Sequence, residues 1–290
     1  MWWGDVAPDQ RPTDAFSLVY DTDVLNETVE ILGLPKIQML VSADAPHANW
    51  FVRLSDVAPD GSVTQVAGAG FNGTHRESAK DPKPLEPGKP FPLEIEMHFT
   101  SWIFPKAHRI RLSISNAQWP MFWPSRYPVT TSLHLGDQTR LLLPVVPYEQ
   151  RPIPKFSTPL PDPVLAGFST LDSGNVSGYG EIGTIERNTT ARTTKIVATN
   201  SGGDQYPWGT ERYLERIIHE TNDDHPEQTS MSGTHKMTVE LKGRTLIWEA
   251  DLLFRSDMQN FHYTYTRRLF ENGKLVREKK WTDTIPRDFQ

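Results

Sequence analysis

Apolar and polar residues alternate with a period of two through most of this chain, and the clearest run lies between Trp50 and Gly73. Trp50, Val52 and Leu54 fall on one side and Arg53 and Ser55 on the other, which predicts a half-buried strand. Pro59-Asp60-Gly61 then reverses the chain: Pro fixes φ, Asp bonds nearby backbone and Gly accepts positive φ. The return strand, 62–72, carries Gly68 and Gly70, where a bulge or a close backbone approach is expected. A hairpin of this length needs a second layer over its apolar face.

The same period predicts strands at 15–20, 29–32 and 37–43 ahead of the hairpin and at 93–99 and 110–115 after it. Between them, 77–90 holds Pro82, Pro84, Pro87 and Pro90 and reads as loop, because proline offers no N–H to a ladder. Glu94, Glu96 and His98 form one outward row and Arg109 and Arg111 another. Paired antiparallel through a turn at 104–107, these rows would bring opposite charges together. Residues 133–135 and 141–145 predict a last hairpin over Gly136-Asp137.

From Pro144 to Gly167 the chain has seven prolines and little periodicity, which predicts an extended connector. Beyond it, strands are expected at 179–185, 192–199, 211–219, 236–241, 245–254, 261–270 and 275–281, with a helical turn a second reading for the stretch from Tyr206. Asn272-Gly273 between the last two is a strong hairpin signal, placing Glu271 opposite Lys274 and Arg267 opposite Glu278. The fold class expected is therefore all-β. A jelly-roll β-sandwich spans 1–147, a Pro-rich linker 148–167, and a second antiparallel domain, meander or partial barrel, 168–290.

Composition narrows the function classes. A net charge of −6 without a basic block speaks against nucleic acid as a partner. No run is long and apolar enough for a membrane, and the start lacks a signal-peptide pattern, so the default location is cytoplasmic. Without cysteine there is no disulfide, thiol nucleophile or thiolate metal site. The four N-x-S/T triplets read as incidental.

Gly68-Ala69-Gly70-Phe71-Asn72-Gly73 fits G-x-G-x-x-G but runs into a proline-rich loop instead of opening a helix, so it reads as a strand end. No G-x-S-x-G occurs, and 222–227, with Asp223, Asp224, His225 and Glu227, reads as a solvated acidic loop; no metal ligand or cofactor is assigned. Two places invite contact. Trp119, Phe122, Trp123 and Tyr127 lie in a ring- and proline-rich loop that either caps the end of the sandwich or forms a stacking platform for sugar or another flat ligand. Trp2 and Trp3 are adjacent large rings that call for cover by another surface.

Asp9-Gln10-Arg11-Pro12, Ser17-Leu18-Val19-Tyr20, Glu30-Ile31-Leu32-Gly33, Ser42-Ala43-Asp44-Ala45-Pro46, Arg53 to Gly61 and His108-Arg109-Ile110-Arg111-Leu112 follow one another in an order that resembles the C-terminal domain of cocaine-esterase-like (CocE/NonD) hydrolases and X-Pro dipeptidyl-peptidases. Ala107 departs from that family, which usually has Gly there; 168–290 resembles an extra β domain of some members. The resemblance implies a galactose-binding-like jelly roll attached to an α/β-hydrolase domain that carries nucleophile, acid and His, so no catalytic residue is assigned here. It also implies that Trp2 and Trp3 border that domain. The expected function is the non-catalytic β portion of an ester- or amide-cleaving serine hydrolase, as a fragment or a split-gene product, partnered by an α/β-hydrolase domain or chain, with room for a homo-oligomer. Whether the chain itself is an enzyme stays open. The alternative is a stand-alone carbohydrate- or ligand-binding module.

Overall fold

The structure, a computed structural model, describes residues 9–147, 152, 154–172 and 184–290. Trp2 and Trp3 lie outside the described residues. The chain divides into two compact units, 6–151 with 289–290 and 152–288.

In the first unit a helical turn, α1 (Arg11–Asp14), precedes β1 (Leu18–Asp21), β2 (Val29–Gly33), β3 (Lys36–Ala43), β4 (Asn49–Val57) and β5 (Val63–Asn72). Then follow β6 (Phe91–Glu96), β7 (Thr100–Phe104), β8 (Arg109–Ser115), β9 (Thr131–His134), β10 (Arg140–Leu142) and β11 (Val145–Val146). One layer has the order β1-β8-β4-β5, wholly antiparallel. In the other, β3 lies between β6 and the pair β9 and β10, while β2 lies between β7 and β11. The chain thus crosses between the layers after β1, β3, β5, β7 and β8, which is the path of a jelly roll.

The bend from β2 into β3 depends on Gly33. Its φ is +141°, and an added Cβ would stand 3.1 Å from the Cβ of Pro144, whose carbonyl accepts the Leu32 N–H at 3.0 Å. Only glycine fits both demands without strain. Between the layers Trp50, Val52 and Leu54 meet Ile37, Met39, Val41, Leu93 and Ile95, with Ile110, Leu112 and Ile114 alongside, all buried. This is the contact that the two-residue period requires.

Several expectations fail on long-range pairing. The rows of Glu94 and Arg111 do not face each other: β6 joins β3, so Glu96 meets Lys36 at 2.7 Å, and β8 joins β1 and β4 in the other layer. The strand at 100–104 comes between them in sequence. Residues 131–134 and 140–142 form no hairpin; each adds to a different stretch of β3. The strand expected from Ala15 starts only at Leu18, because Pro12 favours the first turn of a helix and α1 forms just ahead.

The second unit is an open meander. β12 (Ser169–Asp172) and β13 (Thr184–Asn188) both pair with β14 (Thr193–Tyr206), after which β15 (Gly209–Asn222), β16 (Ser230–Leu241), β17 (Arg244–Ser256), β18 (Asn260–Glu271) and β19 (Lys274–Pro286) each join the strand before. Tyr206 and Gly209 close a tight hairpin, so no helical turn begins at Tyr206. At Asn272-Gly273 both φ values are positive, +48° and +78°, as the hairpin signal demands. Glu271 faces Lys274, but a bulge at Leu269/Phe270 moves the register by one. Arg268, not Arg267, therefore meets Glu278, at 2.8 Å.

Ala107 takes φ +71° in the turn into β8, where its N–H reaches the Leu25 carbonyl at 2.9 Å. A side chain in that region costs about 1 kcal/mol. Ala107→Gly is expected to raise stability by about that amount and the melting temperature by roughly 3 °C, measured by calorimetry; a lower midpoint contradicts the strained turn.

Candidate functional site

The outer face of the first layer is covered. β4 is buried along nearly its whole length on both sides, whereas its alternation predicts one wet face. The cover is the segment around α1. Gln10 donates its N–H to the Val63 carbonyl (2.9 Å), and the Asp9 carboxylate accepts from the Arg11 N–H and Nε, which holds the turn in shape. From this turn Asp14 points onto β4 and β8, where Arg53 and Ser113 are register partners and Ser55 pairs with Arg111. Its carboxylate receives Arg53 Nη2 at 2.8 Å, Ser113 Oγ at 2.7 Å and Arg111 Nη1 at 3.0 Å. Arg111 also grips Asp21 of β1 through two bonds of 2.7 and 2.8 Å. Asp21 first, and then Asp14, hold the Arg111 guanidinium charged even beyond the ordinary arginine range. Two carboxylates and two guanidiniums balance, as burial of charge requires.

A second carboxylate ties the two layers. Asp56 accepts Trp102 Nε1 of β7 at 3.1 Å and lies 2.8 Å from His108 Nδ1 in the turn ahead of β8. Trp102 thus takes the carboxylate oxygen that His108 leaves, which is a structural arrangement. Ser42 Oγ lies 3.0 Å from His134 Nε2, and Asp257 Oδ2 lies 2.6 Å from His262 Nε2. The His262 bond first, with the Gln259 and Asn260 amides, depresses the Asp257 carboxyl to about 2. In none of these three pairs do a serine, an imidazole and a carboxylate meet as a triad requires. In the acidic loop Asp224 pairs with Arg192 at 2.8 Å, while the Asn222 side chain accepts from the Asp224 and His225 amides.

The structure brings three of the four aromatic-loop residues into ring contacts. Phe122 packs on Phe51 of β4 with centroids 4.8 Å apart, passing over Gly70, where an added Cβ would stand 3.2 Å from the Phe122 ring. Trp119 and Trp123 meet nearly edge-on at 5.5 Å and 81°. Tyr127 is half-buried, and its N–H bonds Ser125 Oγ at 3.3 Å. Only Phe122 of these rings is laid against Phe51, and the Trp119 and Trp123 rings are not coplanar. Sequence reasoning missed Asp14, Arg53 and Asp56 as organising residues; Arg53 and Asp56 stand within one of the family-like motifs, whereas Asp14 falls between two of them.

The family model of the X-Pro dipeptidyl-peptidase C-terminal non-catalytic domain matches residues 3–147. The chain belongs to this family. Among curated proteins that segment is similar to cocaine esterase of Rhodococcus sp. (strain MB1 Bresler), 32% identical over 122 residues, which are 41% of this chain and 21% of that protein. It is also similar to a putative Xaa-Pro dipeptidyl-peptidase of Rhodopirellula baltica, 27% identical over 137 residues, 44% of this chain and 21% of the other. The chain thus spans about one fifth of the length of these relatives. Of solved structures, an alpha-amino acid ester hydrolase aligns with a TM-score of 0.46 at 24% identity, covering 48% of this chain and 27% of its own. A CocE/NonD family hydrolase from Staphylococcus aureus aligns at 0.39 and 13%, covering 45% and 30%. The family match thus covers the first unit, which is an X-Pro dipeptidyl-peptidase C-terminal non-catalytic domain.

The packing of Phe122 yields a discriminating variant. Phe122→Ala is expected to lower stability by about 1 to 2 kcal/mol in denaturant titration, below the roughly 3 to 5 kcal/mol of a fully buried ring because Phe122 is 38% exposed. Unchanged stability combined with loss of glycan binding on an array contradicts the capping role.

Proposed function

We propose that the first unit docks onto an α/β-hydrolase catalytic domain or chain and completes one wall of its active site, in a hydrolase that cleaves esters or amides. Membership of a non-catalytic domain family supports the class of partner. The observation that carries the docking is an apolar seam along one side of the sandwich. Leu18 (48% exposed) and Leu135 (68%) stand in solvent there, where a monomer would normally bury such side chains. Phe16 and Leu18 line one cleft and Tyr20 and Leu135 another, and Leu133 contributes to both, so the seam is continuous. It starts right after the turn that Asp14 fixes. Trp2 and Trp3 are candidates to border the same partner, and the aromatic loop serves as a cap.

The experiment uses the purified chain and an α/β-hydrolase catalytic domain deprived of its own C-terminal sandwich. The chain alone is expected to leave 4-nitrophenyl acetate intact and to form a saturable one-to-one complex with that domain by sedimentation. Leu18→Asp with Leu135→Asp is expected to weaken the complex at least tenfold, as a charge placed in an apolar contact must. Serine-reagent-sensitive turnover by the chain alone, or a complex indifferent to the double variant, contradicts the proposal.

A further inference from the structure

We propose that one face of the second unit binds a small amphipathic carboxylate, with its apolar body in a trough across β15 to β18 and its carboxylate on Arg267. The inference is independent of the docking reading. The register of the meander puts Glu215, His235, Ala250, Arg267 and Lys279 opposite one another, in one row across five strands. Residues two positions away along each strand share that face. Ile217, Leu252 and Tyr265 thus form an apolar row on one side, and Met237 and Trp248 one on the other. Between them lies a cavity of about 440 Å³. That volume falls within the range of small-molecule sites, which are mostly apolar with a few placed polar groups.

Two small residues keep the trough open. Ala250 stands mid-row, and at Gly233 an added Cβ would meet nothing nearer than 3.8 Å, so this glycine answers no local steric demand and leaves free space. Tyr265 stacks on Trp281 at 5.5 Å and 25°, which makes that wall flat and aromatic.

The charge pattern selects an anion. The bulge at Leu269/Phe270 puts Lys279, instead of Glu278, opposite Arg267. Like charges therefore face each other across the ladder, an arrangement that repels unless an anion joins it. Among the described residues Arg267 has no ion-pair partner, whereas its neighbour Arg268 holds both Asp251 and Glu278. Lys279 lies over the Trp281 ring, 4.6 Å from its centre. Glu215 stands three strands from Arg267, roughly 14 Å along the sheet, and does not neutralise it. A guanidinium beside aromatic walls matches a planar carboxylate on an aryl or alkyl body.

Calorimetric titration of the full chain with 4-phenylbutyrate, and with the neutral 4-phenylbutan-1-ol, tests this. Saturable one-to-one binding of the acid is expected, with the alcohol about tenfold weaker or more, the usual worth of a charged hydrogen bond. Arg267→Gln is expected to remove that preference while leaving alcohol binding unchanged, and Gly233→Leu to abolish binding of both with circular dichroism unaltered. Should Gly233→Leu not fold, Ala250→Val fills the same trough and carries the same expectation. No saturable binding of the acid, equal affinity for acid and alcohol, an unaffected Arg267→Gln, or a folded trough-filling variant that binds like the parent overturns the proposal.

Discussion

The first unit depends on one buried carboxylate. Asp14 lies between Arg53 and Arg111 with Ser113 as a third donor, and through Arg111 it is linked to Asp21. A polar row on the outside of a sandwich layer would ordinarily face water. Here a helical turn lies over it, and the buried charges are matched by geometry instead of hydration. This arrangement fixes three things together: the path of the chain before β1, the pairing of β1 with β8, and the double-sided burial of β4. It also explains why Asp-Gln-Arg-Pro is followed so closely by an Asp that the sequence pattern alone leaves without a role.

The exposed apolar side chains begin beside this clamp. Leu18 follows the turn that the carboxylate pins and is joined through Leu133 to Leu135. Inside the unit Asp56 spans from β4 to Trp102 and His108, a polar link between the layers. The family to which the chain belongs is that of a non-catalytic domain. The second unit differs, with an apolar trough and an unbalanced cation on one open face.

Local signals were legible and distant ones were not. The alternation at Trp50, Val52 and Leu54, the Pro-Asp-Gly reversal and the Asn272-Gly273 hairpin all follow from backbone preference within a few residues, and each appears in the fold. The charges of Glu94 and Glu96 misled because complementarity does not name a partner. Lys36 satisfies Glu96 as well as any arginine of β8 would. A one-residue bulge near Phe270 lay beyond the turn signal, yet it decides that Lys279, instead of Glu278, stands opposite Arg267. Of the predicted contact residues, the loop rings were legible as a cluster but not as edge-on pairs, since ring orientation depends on Phe51 and Gly70 far off in sequence.

The most direct measurement is a double-mutant cycle between Asp14→Asn and Arg53→Met, read from urea titration of the four proteins. If the carboxylate organises the outer face as described, the two changes are strongly non-additive, with a coupling of about 2 kcal/mol or more. Losses that simply add, with a coupling near zero, would contradict the account.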